Sequence, residues 1–377
     1  MVANIGNNYH GYAMSDLYSL NSHFGTEAEL KSMIAAAHAR DIWVMLDVVG
    51  NHVGPVDMDF QQIKPFNQSS HYHSKCQIED FNNQNQVELC RLANLPDLDQ
   101  SNAFVRSELL SWAASLASYG FDGLRIDTIP EVEPNFWADF NKAANMYCVG
   151  EAYNGDVNYV SNYQKYLDGV LSYPLYYTMM NVFAHQQSMN QIEGVLGPSG
   201  SYATKFKNVN YLGTFIDNHD QARFLHTKNN WALYKNALAM TLFTTGIPIV
   251  YYGTEQAFAG GDDPANRESL WPSYNTDHEL YQYLKTLVSV RKAQKVYSQA
   301  QIQRYASSNF YSFSRGMTLV CLTNSGGSTV TTTVSYLPFA AGTTVCNALI
   351  ANDCATVTST GLTVTLTNGV PKVYVPK

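Results

Sequence analysis

The chain reads as an α/β protein built on a parallel sheet, with a small domain inserted after one strand and an all-β module behind it. Three features of the sequence carry this reading. Short apolar runs alternate with helix-like stretches, one polar segment interrupts the alternation, and after about residue 298 the hydrophobic period changes to two.

The apolar runs at 42–49, 121–127, 146–151, 169–173, 212–216 and 247–252 each have the length and continuity of a buried strand. Between them lie helix candidates. The stretch 26–40 opens on a capping pair, Thr26 with Glu29 three residues on, and places Leu30, Met33, Ile34 and Ala37 on one face. Stretches 102–119 and 231–245 repeat the theme. Alternating strands and helices imply a parallel sheet, open or closed into a barrel. Residues 54–100 are polar and rich in Asn and Gln, and an excursion that long is usually functional or forms a subdomain. From 298 on, Thr, Val, Ser and Gly dominate, with strand-like alternation at 329–334 and 360–366. The expected division is 1–53 with 101–297 as the parallel-sheet domain, 54–100 as the insert, and 298–377 as the β module.

At 377 residues and 45% hydrophobic, the chain can bury a sizeable core. Lys and Arg number 23 against 31 Asp and Glu, a net charge of −8, with no basic run, so nucleic acid and anionic membranes are poor partners. Only 14% of residues are charged, while 26 Tyr and 17 Phe sit among many amides, a surface suited to stacking on neutral polar ligands such as sugars. The opening MVANIGNNYHGY has no basic stretch and no apolar core, and no run of about 18 apolar residues occurs, so neither a secretion signal nor a membrane span is expected in the chain as written. Cys76 with Cys90 and Cys346 with Cys354 close short loops that an oxidising compartment can lock, whereas Cys148 and Cys321 lie in apolar runs and read as buried thiols. Asn67-Gln68-Ser69 is the one glycosylation sequon and fits a secreted history.

Acidic residues stand where strands end: Asp47 closes its strand before Val48, Asp127 and Glu151 end theirs, and Asp220 follows a fourth. In a parallel barrel the C-terminal strand edges form the face on which active sites assemble. Taken singly, each acid reads better as a helix cap or a solvated loop carboxylate than as a site residue. Together, with Arg125, His52 and His219 beside them, they point to an active site.

The residues around these acids are recognisable. DVVGNH at 47–52, GLRIDT at 123–128, GEAY at 150–153 and FIDNHD at 215–220 resemble, in order and spacing, the four signature regions of α-amylases of glycoside hydrolase family 13, fungal members most of all. YHGY at 9–12, LPDLD at 95–99, IPIVYYGTEQ at 247–256 and DPANRE at 263–268 extend the likeness over nearly the whole chain. The resemblance implies a (β/α)8-type TIM barrel with an inserted domain and a C-terminal antiparallel β-sandwich. It implies endo-hydrolysis of α-1,4-glucosidic bonds in starch- or glycogen-type polysaccharides with retention, by a secreted monomer.

Carried over residue by residue, Asp127 becomes the nucleophile, Glu151 the general acid/base, and Asp220 the carboxylate that grips the sugar at the cleaved unit. Retaining glycosidases need nucleophile and proton donor about 5 Å apart. Arg125 is expected to keep Asp127 ionised while Glu151 stays protonated until it serves the leaving oxygen. His52 and His219 correspond to donors to sugar hydroxyls and Tyr12 to a stacking platform, against the plainer reading of hydrogen-bonded rim histidines. A calcium site is implied by Asn51, Glu88 and Asp97, with Glu131 offering its carbonyl; oxygen ligands from distant segments suit Ca²⁺, and solvated loop acids are the competing reading. Asp263 is carried as a substrate contact and Arg267 as its neighbour, with a purely structural ion pair as competitor. The Cys76–Cys90 spacing matches a family disulfide. His71 and His73 form a lone His-x-His and receive no metal role.

The sequence also departs from the family pattern. Pro130 and Glu131 stand where the fungal enzymes place a Lys-His pair on the leaving-group side of the cleft. Ala13 replaces a usual Trp, removing stacking surface worth roughly 1–3 kcal/mol. Six strand candidates leave the family's first two barrel strands and the helix between them without counterpart, so exposed sheet edges, and poor folding or weak activity of this polypeptide alone, are expected. A family 13 α-glucosidase or transglycosylase, and a non-catalytic glucan-binding relative, are the competing functions.

Overall fold

A computed structural model describes residues 2–6 and 8–377, and the chain divides into two units, Met1–Asn154 with Tyr159–Leu171, and Gly155–Asn158 with Ser172–Lys377. In the first unit an antiparallel pair, β1 (Val2–Asn4) with β2 (Met14–Leu20), leads into α1 (Glu27–His38). Helix α1 starts at the expected cap. The Glu29 N–H donates to the Thr26 hydroxyl at 3.3 Å, and the Thr26 N–H donates to the Glu29 carboxylate at 2.8 Å. This reciprocal pair satisfies two amides that the helix leaves open.

The remaining elements of the unit follow as β3 (Met45–Val49), α2 (Gln84–Leu89) within the polar insert, α3 (Ala103–Leu116), β4 (Gly123–Asp127), α4 (Pro134–Ala144), β5 (Tyr147–Gly150), the part of α5 (Val157–Tyr163) from Tyr159 on, and β6 (Gly169–Val170). The four strands form a parallel sheet in the order β3-β4-β5-β6. Leu109, Trp112, Leu124, Ile126, Phe136, Trp137 and Phe140 are buried. The Trp137 indole N–H is satisfied by the Ile129 carbonyl at 2.8 Å. Gly150 closes β5 where nothing larger fits, because a Cβ there would stand 2.6 Å from both Ile129 and Leu167 side chains. That tight passage delivers Glu151 to the end of the strand.

Two expectations for this unit fail for one reason. Residues 42–49 do not form a buried strand: Ile42 and Trp43 precede β3 and are exposed, Trp43 by 83%, and Met45 is exposed as well. Of the apolar face of α1 only Ile34 is buried, and Met33 is exposed. β3 is the outer strand of its sheet, so among the described residues no further strand pairs with it to cover its apolar flank. An apolar cavity of about 290 Å³ opens nearby, lined among others by Leu17, Leu30, Leu46, Trp112 and Leu116.

The second unit contains α6 (Tyr173–Met179), α7 (Asn190–Leu196), α8 (Ser201–Lys205), β7 (Gly213–Thr214), α9 (Phe224–Thr227), α10 (Trp231–Phe243), β8 (Ile247–Pro248) and α11 (Glu279–Ala293). β7 and β8 pair in parallel, so six short strands lie in parallel sheets among the described residues, the number counted from the sequence. Residues 247–252, expected as a buried strand, expose Ile247, Ile249, Val250 and Tyr252, because β8 is again an outer strand.

The C-terminal module is all-β, as the period-two pattern required. It runs β9 (Gln301–Ala306), β10 (Tyr311–Arg315), β11 (Thr318–Leu322), β12 (Val330–Val334), β13 (Thr344–Asn347), β14 (Cys354–Thr356), β15 (Leu362–Leu366) and β16 (Lys372–Pro376). An antiparallel sheet ordered β14-β13-β16-β11-β10-β9 and the pair β12-β15 share a core that includes Phe310, Leu319, Val334, Val345 and Leu366. Cys76–Cys90 and Cys346–Cys354 are disulfide-bonded, and Cys148 and Cys321 are buried free thiols.

The Cys76–Cys90 bridge spans 14 residues of the polar insert. Replacing both cysteines by Ser is expected to lower unfolding free energy by about 3 kcal/mol, the chain-entropy value for a loop of that size. Urea titration checks this; an unchanged midpoint would mean that other contacts hold the insert.

Candidate active site

In the first unit the site grows out of three adjacent strand ends. Arg125 and Asp127 are two residues apart on β4 and therefore share a face. Asp47 on β3 lies in register with Arg125, and Glu151 follows β5, its N–H donating to the Ile126 carbonyl at 2.8 Å. The Arg125 guanidinium gathers all three acids. Its Nη1 stands 2.7 Å from Asp127 Oδ1 and 2.9 Å from Asp47 Oδ1, and its Nη2 2.8 Å from Glu151 Oε2. Tyr12 donates its hydroxyl to Asp47 Oδ2 at 2.8 Å, with the guanidinium 6.0 Å from its ring centre. His10 stacks on the Tyr12 ring.

Electrostatics here differ from the sequence expectation. Arg125 lowers the Asp127 carboxyl, but the net shift is upward. Burial, with the Glu151 and Asp47 carboxylates adding, outweighs the guanidinium and pushes its carboxyl up to about 7. His52 is buried and held down to about 4, mainly by loss of solvent, so its imidazole is neutral near pH 7 and carries one N–H to donate.

A second group of oxygens forms beside the polar insert. The Asn51 side-chain amide faces Asp97 Oδ1 at 2.7 Å and the Glu131 carbonyl at 3.1 Å. Either its amino group donates to both, or its oxygen joins theirs around a cation. Asp97 is buried and pushed up to about 6 by lost solvation, although His73 Nδ1 stands 2.7 Å away and opposes the shift. The Glu131 carboxyl is pushed up to about 8 by burial, with Asp127, Glu151 and Asp97 adding, and its Oε2 has no hydrogen-bond partner. Glu88 reaches this segment indirectly, through the Gln84 amide, which donates to Glu88 Oε1 at 2.8 Å and to the Pro130 carbonyl at 3.0 Å. Among the described residues no three His, Cys, Asp or Glu side chains are grouped to hold a metal. A cation would depend on this mixture of amide, carbonyl and carboxylate oxygens, the donor set Ca²⁺ accepts.

The second unit carries the other expected residues. Asp220 follows β7, and His219 Nε2 lies 3.4 Å from its Oδ2 and Arg267 Nη2 3.7 Å from its Oδ1. Arg267 also pairs with Asp263, Nε to Oδ1 at 2.6 Å. His219, Asp220, Asp263 and Arg267 are thus one cluster. Beneath it Arg223 is fully buried, bound to Glu268 at 2.8 Å with its guanidinium over the Tyr251 ring at 4.3 Å. Asp217 accepts the Phe224 N–H at 2.6 Å and the Tyr234 hydroxyl. The sequence reading did not single out Asn218, Arg223 or Asn266. All lie in or beside quoted motifs, but a neutral amide makes no charge pattern, and a buried arginine in sequence looks like an exposed one.

The model of the α-amylase catalytic domain matches residues 3–285. Over 388 residues the chain is 36% identical to α-amylase 2 of Schwanniomyces occidentalis, covering 98% of this chain and 76% of that protein. Among solved structures, an α-amylase from Malbranchea cinnamomea superposes with a TM-score of 0.94 at 36% identity, covering 100% of this chain and 84% of that one. An α-amylase from Geobacillus thermoleovorans, solved with acarbose, gives a TM-score of 0.89 at 28% identity over 100% of this chain and 86% of that one. The fold is that of an α-amylase-type TIM barrel with a C-terminal antiparallel sheet domain. On the extent of these matches, the chain belongs to the α-amylase family.

Proposed function

We propose that the chain is an α-amylase that hydrolyses α-1,4-glucosidic bonds of starch- and glycogen-type glucans with retention. The observation that supports this most directly is the pair of buried carboxyls, Asp127 and Glu151, held on one guanidinium at adjacent strand ends. In this reading Asp127 attacks the anomeric carbon while Glu151 gives its proton to the leaving oxygen. The resulting glycosyl ester is opened by a water from which Glu151 removes a proton. Tyr12, with its ring beside the acids, stacks on the sugar, and His52 donates to a hydroxyl. His219, Asp220, Asp263 and Arg267 are assigned to sugar binding.

Calcium is the cation assigned to Asn51, Asp97 and the Glu131 carbonyl, with Glu88 linked through Gln84. Bound there, it supplies a fixed positive charge that ties the polar insert to the strand ends. The two disulfides and the relationship to fungal enzymes support an extracellular setting, and the Asn67 sequon is exposed.

Glu151→Gln is expected to lower kcat on soluble starch by about 10²–10⁴-fold, the range of general acid–base catalysis, while leaving glucan binding in affinity electrophoresis unchanged. Unaltered turnover would sink the assignment. Proton NMR of the first products should show the α-anomer before mutarotation.

Chelation should make stability depend on pH in a stated direction. Asp97 and Glu131 bind protons more tightly folded, at about 6 and about 8, than in an unfolded chain, where carboxyls titrate near about 4. The folded state is therefore favoured at low pH, and that contribution is lost as pH rises through the folded values. Calorimetry in chelator should give a lower Tm at pH 8 than at pH 5, with added Ca²⁺ raising Tm more at pH 8. A chelated protein that melts higher at pH 8 would contradict this.

A further inference from the structure

We infer that Asn266 is a positioning residue for Asp220, setting the carboxylate's place by gripping the main chain on both sides of it. Asn266 is fully buried. An asparagine amide has two hydrogens to give, and here both go to backbone: one to the His219 carbonyl at 2.9 Å and one to the Gln221 carbonyl at 2.8 Å. These are the residues immediately before and after Asp220.

The opposite polarity is handled by Asn218. Its side-chain oxygen accepts the Asp220 N–H at 3.0 Å and the Gln221 N–H at 2.9 Å, while its own Nδ2 donates to the Tyr173 hydroxyl at 3.0 Å. The peptide joining His219 to Asp220 is thus held at its carbonyl by one amide and at its N–H by another. With both neighbouring peptides fixed, the Asp220 carboxylate can move only by its own side-chain rotations.

The grip is itself anchored. Asn266 sits in a loop whose ends are tied: Glu268 Oε1 accepts the Gly260 N–H at 2.6 Å, and Glu268 Oε2 faces buried Arg223 at 2.8 Å. The Arg223 N–H donates to the Gly260 carbonyl at 3.0 Å. Arg267, the residue after Asn266, is the one that leans on Asp220. A single loop therefore presents the cation facing Asp220 and the amide that fixes its backbone.

The inference rests on Asp220 acting in turnover, and the experiment separates the two. Displacing a catalytic constellation by about 1 Å costs about 10²-fold in rate. Asn266→Ala is expected to lower kcat on an aryl α-maltotrioside by about 10²-fold, and Asn266→Ser, which keeps one donor, by about tenfold. In an Asp220→Asn background, where the carboxylate is already gone, Asn266→Ala should cost less than about threefold. Such non-additivity is the signature of residues acting as one unit.

A general structural defect would lower the rate by the same factor in both backgrounds, and that result overturns the inference while leaving Asp220 in place. A kcat unchanged in Asn266→Ala overturns it too. If Asp220→Asn alone keeps full activity, the reading of Asp220 falls and this inference with it. Should Asn266→Ala fail to fold, the Asn266→Ser cycle decides by the same comparison.

Discussion

The first unit of this protein depends on the charge balance around Arg125. Three carboxylates from adjacent strands face one guanidinium; Asp127 and Glu151 are buried with it, while Asp47 stays open to solvent. A buried cation or anion left alone is destabilising by several kcal/mol, and removing one member of a buried pair costs about 3–5 kcal/mol. The arrangement therefore works only as a set. Arginine suits it better than lysine because its planar fork spreads one charge over separate nitrogens, and here Nη1 donates to Asp127 and Asp47 while Nη2 lies 2.8 Å from Glu151 as an ion-pair contact. The result is a pair of carboxyls held close without being neutralised, with Asp127 left readier to take up a proton than an ordinary aspartate.

What the sequence made legible follows from chemistry that is local or repeated. The Thr26–Glu29 cap, the parallel strands on either side of α3 and the period-two module after residue 298 are patterns of neighbouring residues, and each appears in the structure. The acids could be placed because strand ends are marked by where apolar runs stop. Burial was less legible. Residues 42–49 and 247–252 are as apolar as central strands, yet both strands formed there are outer ones, and no property of a strand's own residues reports whether a neighbour lies beside it. The α1 face is the same case: Met33 is helical and apolar as read, but exposed.

The charge state of Asp127 departs from the sequence expectation for a related reason. Sequence shows Arg125 two positions away and suggests stabilisation of the anion. It does not show that Glu151 and Asp47 compete for the same guanidinium, nor that the carboxyl loses its water. Desolvation is a property of the packed structure, and it reverses the sign. The neutral amides Asn218 and Asn266 escaped notice because their contribution is hydrogen-bond geometry, which leaves no compositional trace.

Glu131 is where the two acidic groups of the first unit meet. Its carbonyl faces the Asn51 amide beside Asp97, while burial pushes its carboxyl up to about 8, with Asp127 and Glu151 adding to the shift. A Lys-His pair at Pro130 and Glu131 would have brought positive charge to this point, sharing the neutralisation that Arg125 performs. With Pro130 and Glu131 instead, another buried acid is added and no cation. Protons held on these carboxyls relieve part of the local charge, and His73, 2.7 Å from Asp97, relieves another part. Glu131 thus lies within electrostatic reach of Asp97 on one side and of Asp127 and Glu151 on the other.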